Sequence, residues 1–229
     1  MSKHILLTGA AGNLGMAAVQ RLLDDGHRLT ASILHGQEAA FADLPTVQTI
    51  EADLSNEQHT AAAIDAVLAA QGRIDAAVMI VGGFAVGDIA VTDGALIRKM
   101  FALNFETAYY VVRPLLAHMQ AQGGGQLIFV GARPALRPDQ GQHTVAYALS
   151  KGLVFHLAEI INAGTPTHHV QASVVVPSII DTPQNRAAMP EARFADWIKA
   201  EDIAEAIAFL CSDTGSKLRH AVLQVYNEA

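Results

Sequence analysis

Cysteine is almost absent from these 229 residues. Cys211 stands alone, which excludes an intramolecular disulfide and a cysteine-built metal centre and fits a reducing compartment. Basic charge is scarce as well: 15 Lys and Arg face 22 Asp and Glu, a net charge of −7 with histidine neutral. No basic surface is on offer to nucleic acid or an anionic membrane. No uninterrupted apolar run approaches the roughly 18 residues of a membrane span. Met1-Ser2-Lys3-His4 leads into a strand-like run, without the apolar stretch and cleavage site of a signal peptide. The ten histidines show no metal-ligand spacing; His168 and His169, adjacent before a strand, would point to opposite faces. What remains is 51% apolar and evenly patterned, so disorder is excluded. The expectation is a cytoplasmic protein without a metal, folded as one domain over 1–229.

Strand-like and helix-like segments alternate along the chain. Strands are predicted over His4–Thr8, Arg28–Leu34, Val47–Glu51, Asp75–Val81, Gln126–Val130, Val170–Val176 and Ala221–Tyr226. Between them lie helical patterns at Leu14–Asp25, Asn56–Gln71, Thr92–Met119, Val145–Asn162 and Glu201–Cys211, with Pro114 as a place for a kink. Val-, Ile- and Leu-rich strands separated by helices predict an α/β fold. Its mostly parallel seven-stranded sheet would be covered by helices on both faces, doubly wound in the Rossmann manner. The segment 177–199, with Pro177, Pro183 and Pro190, resists assignment. Such a loop after a strand's C-terminal end suits a lid over a substrate.

Thr8-Gly9-Ala10-Ala11-Gly12-Asn13-Leu14-Gly15 joins the first strand to the first helix. Glycines there let the backbone approach a pyrophosphate, and the helix N-terminus offers free N–H groups and partial positive charge. A lone glycine pattern is weak, but this position between strand and helix points to a dinucleotide. Asp53, after the third strand, either accepts from an adenine amino group or caps the next helix. Preference for NAD normally comes from a carboxylate at the end of the second strand. Here that stretch reads Ser32-Ile33-Leu34-His35-Gly36, with no acid before Glu38. Ser32 and His35 are the groups available to a 2′-phosphate, and the missing carboxylate tilts the choice of NAD(P)H towards NADPH.

Tyr147 and Lys151 lie four residues apart near the start of a helix, hence on one face. A neighbouring ammonium stabilises phenolate, so the pair is expected to move a proton near neutral pH. On these pieces the whole chain resembles the short-chain dehydrogenase/reductase family: the glycine turn, Asp53, Asn104 in Leu103-Asn104-Phe105, Tyr147 with Lys151, and Pro177-Ser178-Ile179-Ile180-Asp181-Thr182. The resemblance implies an NAD(P)H-dependent oxidoreductase in which Tyr147, Lys151 and Asn104 form the proton relay, Asn104 holding a water. It implies cofactor contacts from Gly9, Gly12, Asn13, Leu14, Gly15, Asp53, Leu54, Gly82, Tyr147 and Lys151, with Pro177, Ile180 and Thr182 lining the nicotinamide. It also implies a homodimer or homotetramer, paired through Thr92–Met119 and Val145–Asn162.

Two departures from the family pattern matter. Ile80-Val81-Gly82-Gly83-Phe84 replaces the usual Asn-Asn-Ala-Gly, and Val130-Gly131-Ala132-Arg133 puts alanine where a catalytic serine usually stands. Without that hydroxyl an alcohol/ketone reaction loses a donor worth a few kcal/mol. Both departures are similar to the dihydropteridine reductase branch of the family, as is Asp181-Thr182-Pro183-x-Asn185-Arg186-x-x-Met189-Pro190-Glu191-Ala192-x-Phe194-x-x-Trp197. The branch implies a pterin-like or quinonoid substrate, bordered by Phe84, Ala132 and Trp197. Phe84 would stack on the flat ring or pack in the core; Trp197 would reach the substrate or anchor the lid. Two other readings are a carbonyl/alcohol dehydrogenase, with Thr144 or a water as donor, and a silent dinucleotide-binding sensor.

Overall fold

The computed structural model describes residues 2–228. Seven strands form one sheet, all parallel, in the order β3-β2-β1-β4-β5-β6-β7. They are β1 (His4–Thr8), β2 (Arg28–Ile33), β3 (Gln48–Glu51), β4 (Ala76–Met79), β5 (Gly125–Val130), β6 (Val170–Pro177) and β7 (Val222–Val225). The order reverses direction after β1, as the Rossmann-type prediction requires, and that switch point is where such sheets open a crevice beyond their C-terminal ends.

Side chains alternate across the sheet. Ile5, Leu7, Val78, Ile128 and Val175 face one hydrophobic layer, under α1 (Asn13–Asp24) and α9 (Ala200–Cys211). Leu6, Met79, Leu127, Phe129 and Val174 face the other, under α2 (Glu57–Gln71), α4 (Thr107–Ala121) and α7 (Val145–His168), which the short α5 (Arg133–Leu136) and α6 (Pro138–Gly141) precede. Strands in contact with helices on both sides have no polar face to show, so the strand sequences read as near-continuous apolar runs.

Three expected boundaries move for physical reasons. The long helix expected over Thr92–Met119 is divided: α3 (Gly94–Phe101) passes through a π-helical turn, Ala102–Glu106, before α4 begins. Pro114 lies inside α4, which continues to Ala121, so the interruption sits at Asn104. Helix α7 does not stop at Asn162 but runs to His168. Asn162 is 4% exposed and works on the sheet: its Nδ2 donates to Ala172 O (2.9 Å) and its Oδ1 accepts from Ala172 N (2.8 Å). Pairing of β6 with β7 begins at Val174, so this amide stands in for the strand that is missing beside Ala172. Segment 177–199 is not bare loop; it contains α8 (Pro183–Ala188) and a 3₁₀ turn at Phe194–Asp196. None of the helices is long and apolar enough to cross a membrane among the described residues.

Asn162→Ala strands a buried N–H and C=O at Ala172, a loss of about 1–3 kcal/mol. The melting temperature should fall by about 2–4 °C per kcal/mol. An unchanged melting curve would show that water replaces the amide.

Candidate active site

A cleft of about 1050 Å³ runs over the C-terminal ends of β2, β1, β4, β5 and β6. At its β1 end the chain turns sharply through Gly9, whose φ of +67° suits glycine. Gly15 enters the first turn of α1 so close beneath this bend that a Cβ would stand 2.2 Å from Gly9 O. No side chain fits there, and the cradle brings the α1 N-terminus to the cleft. Gly9, Gly12, Asn13, Leu14 and Gly15 all line it, as do Asp53, Leu54, Gly82, Pro177, Ile180 and Thr182. Asp53 does not cap α2; Asn56 does, accepting from His59 N. Asp53 instead folds the preceding turn, its Oδ1 accepting from Ser55 N and Oγ, which holds its carboxyl below the usual range.

At the other end Tyr147 and Lys151 project from the first turns of α7 into the cleft, beside Phe84 and Ala132. Lys151 is 5% exposed, and its Nζ donates to Val130 O (2.8 Å) at the end of β5. Burial dominates both titrations. It pushes the Tyr147 phenol up to about 12 and the Lys151 ammonium down to about 8. The expected lowering of the phenol pKa by the ammonium is not seen: burial raises Tyr147 instead, and it is a phenol at neutral pH. Ala132 closes the wall at 3% exposure and brings no hydroxyl of its own to the cleft. Phe84 is not a core residue: it is 63% exposed, its ring 5.0 Å from that of Tyr147 at 74°.

Asn104 sits behind the cleft, 1% exposed in the π turn. Its Oδ1 accepts from Gly83 N (2.8 Å), while its Nδ2 donates to Gly83 O (3.0 Å) and Ser150 Oγ (3.0 Å). π turns often mark functional sites, and this one aims an amide at the Gly82-Gly83-Phe84 segment. A Cβ on Gly82 would come within 2.7 Å of Asn104 Oδ1 and 3.1 Å of Lys151 Nζ, which explains why that segment carries glycine.

Some expected contacts are absent. Trp197 does not line the cleft; it is 4% exposed against Phe194 (4.9 Å), with its carbonyl held by Asn227 Nδ2. The large indole is worth more buried as an anchor than left at the cleft mouth. His35 turns to the surface and meets Glu51 at 3.1 Å, which raises its pKa; Ser32 alone of the two named groups lines the cleft. Thr144 is outside the lining, its hydroxyl buried without a partner. The lining also includes Leu34, Gln37, Val86, Leu103, Asn185 and Met189. Asn185 and Met189 lie in the segment that resists assignment from sequence, and Val86 lies in irregular chain that gives no periodic signal.

The cradle, the glycine contacts and the polar groups at both ends suit a dinucleotide. The chain matches the short chain dehydrogenase family over residues 3–193, and it belongs to that family of NAD(P)-dependent oxidoreductases. It is 26% identical to 2-(R)-hydroxypropyl-CoM dehydrogenase of Xanthobacter autotrophicus, covering 97% of this chain and 96% of that one. To dihydropteridine reductase of Dictyostelium discoideum it is 28% identical, covering 90% and 86%. The crystal structure of gox2181 shares the fold with a TM-score of 0.91 at 23% identity, over 98% and 94% of the two chains.

Lys151 gives a pH test. Below about pH 8 folded and unfolded chains both carry its proton, and the fold bears the full cost of burying the charge. Between about 8 and the unfolded value near 10.4 only the unfolded chain keeps it, so this group makes stability rise with pH across that window. Lys151→Met should remove that slope and, at pH 7, stabilise the protein by up to about 3 kcal/mol. Denaturant melts of both proteins at pH 7 and 9.5 decide it; identical pH dependence would refute the burial account.

Proposed function

We propose that this short-chain reductase transfers hydride from NAD(P)H to a pterin-like or quinonoid heterocycle, in the manner of a dihydropteridine reductase. The observation that carries the reading is the wall around Tyr147: an exposed Phe84 ring at 5.0 Å and an alanine, Ala132, in place of a hydroxyl. A flat conjugated ring gains from an exposed aromatic. It accepts hydride without an oxyanion that needs a second donor, but it requires a proton on nitrogen. Tyr147, protonated at neutral pH, holds that proton, and the Lys151 ammonium in the same pocket, itself protonated below about pH 8, stabilises the phenolate left behind. The bound nicotinamide supplies the hydride. Asn104 keeps the Gly82-Gly83 backbone in register with Lys151. The 28% identity to a dihydropteridine reductase and the pattern over Asp181–Trp197 support the same reading.

Cofactor preference falls to NADPH in this reading, because Ser32, Leu34 and Gln37 line the β2 end without a carboxylate, while Glu51 is engaged by His35 outside the cleft. Segment 177–199 acts as the lid. Asn13 Nδ2 on α1 donates to Gln184 Oε1 on α8 (2.8 Å), the Asp181–Arg186 pair stiffens it, and Trp197 anchors its far end. The protein works in the cytoplasm as a homodimer or homotetramer. Helices α4 and α7 form its interface, supported by their exposed Tyr109, Leu149 and Ile160.

A second reading, a carbonyl/alcohol dehydrogenase, is favoured by the name of the Xanthobacter relative. An assay with quinonoid dihydropterin and with small ketones, each with NADPH and NADH, separates the two. Pterin turnover should be faster with NADPH, and Tyr147→Phe should lower kcat by about 10²–10⁴-fold. Ala132→Ser should leave pterin turnover unimproved. Ketone reduction by the unaltered protein, with no pterin turnover, would replace the first reading with the second.

A further inference from the structure

We propose that Ser150 is a positioning residue for this reaction: acting through Asn104 and Gly83, it holds the Phe84 wall against Tyr147. The inference rests on the reading above for its chemistry but on separate contacts for its geometry. Ser150 is wholly buried and does not line the cleft, so it can influence the site only through its neighbours.

A helical serine often returns its hydroxyl to a carbonyl three or four residues back, with no wider consequence. Ser150 does this, donating from Oγ to Tyr147 O at 2.8 Å. Its oxygen is also used, accepting from Asn104 Nδ2 at 3.0 Å. The other Nδ2 hydrogen goes to Gly83 O and the amide oxygen receives Gly83 N. Phe84, the next residue, then meets the Tyr147 ring. The contacts form a closed circuit that leaves the backbone of Tyr147, passes through Ser150, Asn104 and Gly83, and returns to the phenol ring through Phe84. With Ser150 at 0% and Asn104 at 1% exposure, no bulk water replaces a missing link. Removing the hydroxyl leaves that Asn104 hydrogen only the weak contact with Met100 Sδ at 3.8 Å, and the loosened amide no longer fixes both sides of Gly83. The cofactor cradle at Gly9–Gly15 lies on other strands and is untouched.

The test combines kinetics with ¹⁹F NMR of protein labelled with 4-fluorophenylalanine, its Phe84 signal assigned by Phe84→Leu. Ser150→Ala should shift or broaden the Phe84 signal and lower kcat about tenfold, the loss of roughly one hydrogen bond, with the NADPH Kd unchanged. In a Phe84→Ala background the same substitution should have no further effect on kcat. An unchanged Phe84 signal, or a kcat loss of equal size in the Phe84→Ala background, overturns the proposal. If Ser150→Ala does not fold, Ser150→Cys, which keeps the volume with a weaker donor, is read by the same two measurements. Absence of pterin turnover in the unaltered protein defeats the functional reading instead, and the Phe84 signal still decides the role of Ser150.

Discussion

A primary amide cannot be buried in a helical layer unless its oxygen and both its hydrogens find partners. Asn104 meets that demand by taking Gly83 on two sides and Ser150 on the third. Much of the site follows from this. The helix must open into a π turn to aim the amide at the segment after β4. That segment must be glycine at Gly82, because Asn104 and Lys151 already fill the space of a Cβ. Once Gly83 is fixed, Phe84 is fixed next to the phenol. A single polar side chain thus couples a helix, a loop and the helix that carries Tyr147 and Lys151.

Desolvation sets the chemistry of the pair. Were the ammonium bonded to the phenol, each would hold the other charged. The Lys151 Nζ donates to Val130 O, and burial pushes the Tyr147 phenol up and the Lys151 ammonium down, to about 8. In the proposed reading such a site begins its cycle with a proton to give, as a reduction requires. The alanine at 132 fits the same proposal, in which a substrate that takes its proton on nitrogen has less use for a hydroxyl beside a carbonyl oxygen.

The late segment shows how a proline-interrupted stretch becomes rigid without belonging to the sheet. A bridge between Ile180 and Ile198 closes its base. Asp181 and Arg186 pair across the start of α8, and the Arg186 guanidinium lies 4.8 Å over the Phe194 ring, which in turn packs on Trp197. Asn227 ties the C-terminal stretch to the carbonyls of Ala195 and Trp197. The aromatic residues serve as anchors, leaving Asn185, Ala188 and Met189 to face the cleft.

Local rules in the amino-acid order determined the seven parallel strands, the glycine cradle and the helical register of Tyr147 with Lys151, because each depends on period, turn chemistry or short spacing. The all-parallel order and both hydrophobic layers follow from strands apolar on every side. Tertiary structure alone decided the π turn at Asn104, the burial of Trp197, the outward turn of His35 and the high pKa of Tyr147. Each is set by what meets it in space: Gly83 for Asn104, Phe194 for the Trp197 ring, Glu51 for His35, and the surrounding walls for the phenol. Desolvation and long-range hydrogen bonding depend on what surrounds a group in space, which no period along a sequence records.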